Sequence, residues 1–301
     1  MKIRQTISRL REWRSRRSVN VEKLREELSP VFIVGGNRSG TGMVSSILSQ
    51  HPELEGIYSG ETESTYDDEG HSHGFCESFH LWKFLFESGR DTRSENAQLP
   101  FWSLPQYLAL FYRHRPKDKN EIFEIVWDLQ RHRTTERQPL IKNQYVTLMI
   151  GLFTSVFPRA RFILITRPWQ DFIQSGIHKW THDGGGTLFH LRHPRVGLHW
   201  HLVNLIARYD LETYAPGRYA ELWLDVLHQG PEAAQEAFQK ALSTISLQPF
   251  EFDLSVLEPQ WSKRKNSQSA PDRARLDVVR AVVEFERQVL ARMNSHPQIR
   301  S

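Results

Sequence analysis

The chain of 301 residues is long enough for one large α/β domain or two smaller ones, and its 17 Phe and 9 Trp exclude a wholly disordered or collagen-like polymer. No run of about 18 apolar residues is present, which excludes a sequence-evident membrane-spanning helix. Lys and Arg exceed Asp and Glu by 39 − 35 = 4, a mild balance that by itself selects no class of anionic partner.

Residues 1–28 read as a basic helical lead, with Ile3, Ile7, Leu10 and Trp13 at helical spacing among six arginines from Arg4 to Arg17. Residues 1–17 suit a peripheral membrane contact or a solvated helix laid on its own domain. The stretch is too polar for a secretory signal peptide, and the lone Cys76 has no internal disulfide partner. A cytoplasmic protein is expected. Val31-Phe32-Ile33-Val34 is a short apolar run closed by Gly35-Gly36, the pattern of a buried strand, and Met43, Val44, Ile47 and Leu48 start a helix that stops before Pro52. Residues 59–73 are an acidic loop; Phe79–Phe86 and Leu104–Tyr112 read as short aromatic helices; Ile122–Trp127 is a strand candidate. Leu140-Ile141-Lys142 is a further strand, followed by a helix over Val146–Phe157.

Arg161–Thr166 is the clearest strand after the first, and Pro168 suits the first turn of a helix marked by Phe172, Ile173, Gly176, Ile177 and Trp180. A Gly- and His-rich loop spans His182–Pro194, then a helix Leu198–Tyr209, a strand Tyr219–Leu224, a helix Pro231–Leu242 and a terminal helix through Leu276, Val279, Val283, Leu290 and Met293. Alternating strands and helices predict an α/β, P-loop-like three-layer fold, a mostly parallel central sheet covered by helices. The expected organisation is the lead at 1–28, one α/β domain at 29–260, and a basic loop with a C-terminal helix at 261–301 packed on the same domain.

Gly35-Gly36-Asn37-Arg38-Ser39-Gly40-Thr41 lies between a strand and a helix, with the two glycine positions of a G-x-x-x-x-G phosphate loop. Thr41 stands where that loop carries lysine, and the positive charge sits at Arg38 instead. Backbone amides at a helix N-terminus still cradle an anion there, but the missing lysine disfavours an ordinary nucleoside kinase. Arg167 leaves the end of a second strand, with Ser175 two turns into the next helix. In a parallel sheet, ligands collect beyond the carboxyl ends of the strands, so the loop and the Arg167/Ser175 pair make two anion sites on one edge. Two such sites suit a nucleotide phosphorylated at both ends. A tight turn without a ligand is the plainer reading of the loop, and an ion pair with Asp171 that of Arg167.

These two segments resemble the sulfotransferase family. Residues 32–41 with His51-Pro52 look like its 5′-phosphosulfate loop, and residues 160–168 with Asp171 and Ser175 look like its 3′-phosphate segment. Gly217-Arg218-Tyr219 and Pro231–Ala234 are similar to its late strand and helix. The likeness, closer to bacterial and Golgi members than to the cytosolic branch, runs over residues 30–247. It implies 3′-phosphoadenosine-5′-phosphosulfate (PAPS) as co-substrate and sulfuryl transfer to a hydroxyl or amine of a small-molecule, carbohydrate, lipid or peptide acceptor, with no metal and no nucleic acid. Carried over by position, Arg38, Ser39, Gly40, Thr41 and Gly42 hold the 5′-phosphosulfate, and Arg167 and Ser175 the 3′-phosphate. Lys142 looks like the lysine of the family's K-T-P or K-T-H stretch, although Asn143 departs from it and no histidine base adjoins. Glu61, with Glu63 next, stands where Golgi-type members carry a glutamate base. Catalytic roles are thus expected at Arg38, Glu61 and Lys142. Gly42, in place of a second threonine, favours a weakly catalytic nucleotide-binding module as the alternative. The 14 histidines form H-x-H pairs but no zinc spacing. Trp102, Trp180 and Trp200 are candidates for lining an acceptor pocket.

Overall fold

The computed structural model describes residues 20–36, 39–57, 126, 129–130, 133–142, 144–172 and 192–261. Val31–Val34 forms β1 and Arg161–Thr166 forms β4, as their unbroken apolar runs predict. The other strands are β2 (Leu54–Gly56), β3 (Gln138–Lys142) and β5 (Tyr219–Trp223). They make one sheet in the order β2-β3-β1-β4-β5, and every pair is parallel. β1 is the middle strand.

Alternation along β1 and β4 divides the core in two. Phe32, Val34, Phe162 and Leu164 face one layer of helices; Val31, Ile33, Ile163 and Ile165 face the other. The first layer holds α1 (Val21–Glu27), a 3₁₀ turn at Gln144–Leu148, α3 (Ile150–Val156) and the long α4 (Arg192–Tyr214). The second holds α2 (Thr41–Leu48), the short α5 (Leu224–Leu227) and α6 (Pro231–Thr244). Phe32 stacks on Phe162 at 5.4 Å and tilts against Phe153 at 5.0 Å. Such pairs add about 0.5–1.5 kcal/mol each beyond the burial of their area.

At the sheet's amino edge, arginines meet carbonyl groups that have no ladder partner. Arg161 donates to the carbonyls of Ile245 (3.1 Å), Ser246 (3.3 Å) and Ser29 (3.2 Å). Arg218 donates to Pro158, Ala160 and Tyr214, and Arg25 to Ser155 and Val156. Burial lowers the pKa of the Arg161 guanidinium from its usual value. His51 is buried beside Phe250; its Nδ1 accepts from the Glu53 amide, so Nε2 donates to the Gln248 carbonyl.

Three expectations change. The strand expected at Ile122–Trp127 falls mostly outside the described residues, and Val126 within it is helical. The helix expected over Val146–Phe157 is a 3₁₀ turn followed by α3, because Thr147 is drawn into the loop after β1. The Gly- and His-rich stretch is helical from Arg192, with Pro194 tolerated in the first turn of α4. The acidic loop, the aromatic helices at 79–112 and the terminal helix lie outside the described residues. No described helix is long and apolar enough to cross a membrane.

Candidate functional site

β1 ends at Val34, and the chain turns into α2 over six residues. Gly35 has φ +149, and a Cβ there would lie 2.6 Å from the Ile165 carbonyl oxygen. Only glycine lets the chain leave β1 this close to β4. Its amide donates to Thr147 Oγ1 at 2.8 Å, and that hydroxyl donates back to the Gly35 carbonyl at 3.2 Å. The Ser39 amide closes a turn onto the Gly36 carbonyl at 3.1 Å. Gly40, at φ +87, is the N-cap of α2, and a Cβ there would press on Leu224 at 2.9 Å.

Ser39 sits inside this turn with 0% exposure, and its Oγ has no hydrogen-bond partner among the described residues. A buried hydroxyl in that state costs the fold about 1–3 kcal/mol. Thr41 and Ser45, in the first two turns of α2, are also buried, and Gly42 contributes no side chain there. The turn therefore brings a helix N-terminus and a buried hydroxyl to the carboxyl end of β1, groups of the kind an anion site uses.

Two more sequence-predicted residues come to the same edge. Lys142 is the last residue of β3 and pairs with Ile33. It is 8% exposed, so it is not a solvated surface lysine. Alternation places it with Leu140 on the face that α2 covers. Arg167 follows the last residue of β4. Lys142 is level with Ile33 and Ile163 in the register, so it and Arg167 lie on opposite sides of β1, two strand spacings of about 4.8 Å across and four residues of about 3.3 Å along, about 16 Å from each other. Arg38, Glu61, Glu63 and Ser175 lie outside the described residues, as do Trp102 and Trp180.

Five residues around Arg167 carry no spacing signal. Trp200 Nε1 donates to the Arg167 carbonyl at 2.8 Å. Thr166 is buried, and its hydroxyl donates to Glu221 Oε1 at 2.6 Å. Arg208 grips the same carboxylate, Nη2 to Oε1 at 2.6 Å and Nε to Oε2 at 3.3 Å, and lies over the Trp223 ring. The Asn204 amide donates to the Trp200 carbonyl at 2.7 Å. Burial, with Arg208 nearby, lowers the pKa of His201. Asp210, one turn past Ile206 on α4, is 2% exposed; its Oδ1 has no partner among the described residues, and burial raises its pKa to about 7. Among the described residues, no three His, Cys, Asp or Glu converge as a metal site would require.

A glycine-cradled loop between the central strand and a helix, in an all-parallel sheet covered by helices, defines a P-loop-like α/β protein. The sequence profile of the sulfotransferase family matches residues 30–234, more than half of the chain, and the chain belongs to that family. Its fold is similar to that of sulfotransferase STF1 from Mycobacterium tuberculosis H37Rv, at 11% identity and TM-score 0.52 over 78% of this chain and 77% of that one. It is also similar to sulfotransferase STF9 from Mycobacterium avium, at 12% identity and TM-score 0.51 over 95% of this chain and 81% of that one. No curated protein sequence matches the chain.

Proposed function

We propose that this sulfotransferase uses PAPS as donor and passes its sulfuryl group to a hydroxyl or amine acceptor by in-line displacement. The observation that carries the reading is the buried Ser39 hydroxyl, without a partner among the described residues, inside a turn that only glycine permits at Gly35, with Lys142 ending the strand on one side and Arg167 following the strand on the other. An unliganded protein gains nothing from that hydroxyl; a phosphosulfate oxygen gives it a partner.

When bound, the donor supplies an activated sulfuryl group whose leaving oxygen gains negative charge. Arg38 and Lys142 place positive charge beside that oxygen as the sulfur–oxygen bond to the nucleotide breaks. Ser39 and the amides from Gly40 to Gly42 orient the phosphosulfate. Arg167 and Ser175 hold the 3′-phosphate. Glu61 accepts the proton that the acceptor loses as its oxygen or nitrogen bonds to sulfur, with Glu63 as the neighbouring choice. The positive charge comes from side chains, so a chelator leaves turnover unchanged. The acceptor is a small molecule, carbohydrate, lipid or peptide.

The test is calorimetric titration and thermal shift with adenosine 3′,5′-bisphosphate against adenosine 5′-monophosphate. The bisphosphate stabilises the protein by RT ln(1 + [L]/Kd), and the monophosphate does far less. Arg167→Ala costs about 1.5–3 kcal/mol of bisphosphate binding, the scale of a hydrogen bond to a charged group. Equal binding of both nucleotides overturns the donor assignment. Gly42 favours one other reading, a chain that holds the nucleotide without turnover. Glu61→Gln decides it: a drop of about 10²–10⁴-fold in kcat with nucleotide affinity intact marks a working base, whereas no sulfate transfer from the wild-type chain to any acceptor class favours the binding module.

A further inference from the structure

The end of β4 is held more firmly than the packing of a strand requires. Pro168 keeps Arg167 in extended backbone. The helical turn at residues 169–172 takes its first acceptor from Pro168, whose carbonyl receives the Phe172 amide at 3.0 Å. The Arg167 carbonyl thus stands outside that helix ladder, and the Trp200 indole, 33 residues away, donates to it. One residue earlier, the Thr166 hydroxyl is fixed by Glu221, and Glu221 is fixed by Arg208 through both carboxylate oxygens. Asn204 joins the two anchors, since it donates to the Trp200 carbonyl and its Oδ1 lies 3.4 Å from Thr166 Oγ1. Two consecutive residues are therefore pinned, one from α4 and one from β5.

We propose that Trp200 and the Thr166–Glu221–Arg208 set are positioning residues that fix the base of the Arg167 side chain, and that they thereby set the selectivity of this edge for a nucleotide carrying a 3′-phosphate. The inference rests on the donor reading above. Arginine has four side-chain torsions to order when it meets an anion. Holding the backbone on both sides of its Cα leaves the guanidinium fewer positions to search, so less affinity is spent on ordering. A geometry built for one anion acts only on ligands that bear that anion. A residue that merely stabilises the fold weakens every nucleotide alike.

The experiment measures Kd for adenosine 3′,5′-bisphosphate and for adenosine 5′-phosphosulfate, which lacks the 3′-phosphate. The proteins are the full chain, Trp200→Phe, Glu221→Gln, Arg167→Ala and the Trp200→Phe/Arg167→Ala double variant. Trp200→Phe keeps an aromatic ring and removes the indole N–H. It weakens the bisphosphate about 3–10-fold, the scale of one neutral hydrogen bond, and leaves the phosphosulfate within about twofold. In the Arg167→Ala background the same substitution has no further effect, because the residue through which it acts is gone. Glu221→Gln shows the same selective loss and carries the comparison if Trp200→Phe does not fold. Equal weakening of both nucleotides, no weakening of either, or an effect that persists without Arg167 overturns the positioning role. A wild-type chain that binds the two nucleotides equally overturns the donor reading, and the positioning role falls with it.

Discussion

The two edges of the sheet are finished by opposite means. At the amino edge, Arg161 and Arg218 each donate to three carbonyls from two segments, and Arg25 holds the end of α3. At the carboxyl edge, glycines at 35, 36 and 40 reduce the chain to backbone, and the buried Ser39 hydroxyl has no partner among the described residues. At the amino edge those carbonyls find donors in the chain's own arginines. At the carboxyl edge the Ser39 hydroxyl has no such partner among the described residues, and the proposed anion would supply one.

The largest test of the contrast is Gly35→Ala. It is strained at φ +149 and drives a methyl to within 2.6 Å of a backbone oxygen that cannot retreat without moving β4. A loss on the order of 3–5 kcal/mol is expected in chemical unfolding, together with loss of bisphosphate binding. Arg161→Met is next. It leaves three carbonyls without their donor, costs about 2–4 kcal/mol, and leaves the nucleotide Kd of the folded fraction unchanged. A large change in that Kd would erase the division between the edges.

Asp210→Asn acts through pH. The folded carboxyl titrates near 7, above its ordinary value of 3.8, so the folded state holds the proton more tightly than the unfolded chain. The stabilisation is complete below pH 4 and is lost as pH rises through 7. The amide does not titrate, so the variant is more stable than wild type at pH 8, by on the order of 2–4 kcal/mol, and equal near pH 4. Unfolding curves that stay parallel across that range contradict it. The smallest effect on stability is at Ser39→Ala: removing a buried hydroxyl that has no partner among the described residues changes unfolding by at most about 1 kcal/mol, in the stabilising direction, while bisphosphate binding falls at least tenfold. A variant that loses stability and keeps affinity makes Ser39 a structural residue.

Strands β1 and β4 are legible to the residue, because both faces of a central parallel strand are buried and the apolar run has no gaps. The glycine loop is legible as well, since only particular residues allow that backbone. β2 is not: three residues at an outer position carry no periodicity. The surroundings of Arg167 are hidden for another reason. Thr166, Trp200, Arg208 and Glu221 meet through the fold, with 13 to 55 residues between bonded partners, and no local pattern records such a meeting. Thr147 is the same case, joined to Gly35 across 112 residues. Lys142 was legible as the end of a strand, but its burial follows from the position of α2 over β3, which needs the assembled sheet.

The strand order also bears on how the chain is made. β1 lies in the middle of the sheet yet leaves the ribosome first among the strands, and its neighbours β3 and β4 begin only at residues 138 and 161. At about 5–20 residues per second, more than 120 further residues take roughly 6–25 s. Val31–Val34 lacks both described neighbours until β3 is made and lacks one until β4 is made, so it is the kind of segment that pairs with the wrong chain. Brief heat or crowding during synthesis is therefore expected to trap this protein as aggregate far more readily than the same treatment of the finished fold. A nascent-chain series stalled before and after residue 166 would show the solubility step at that point.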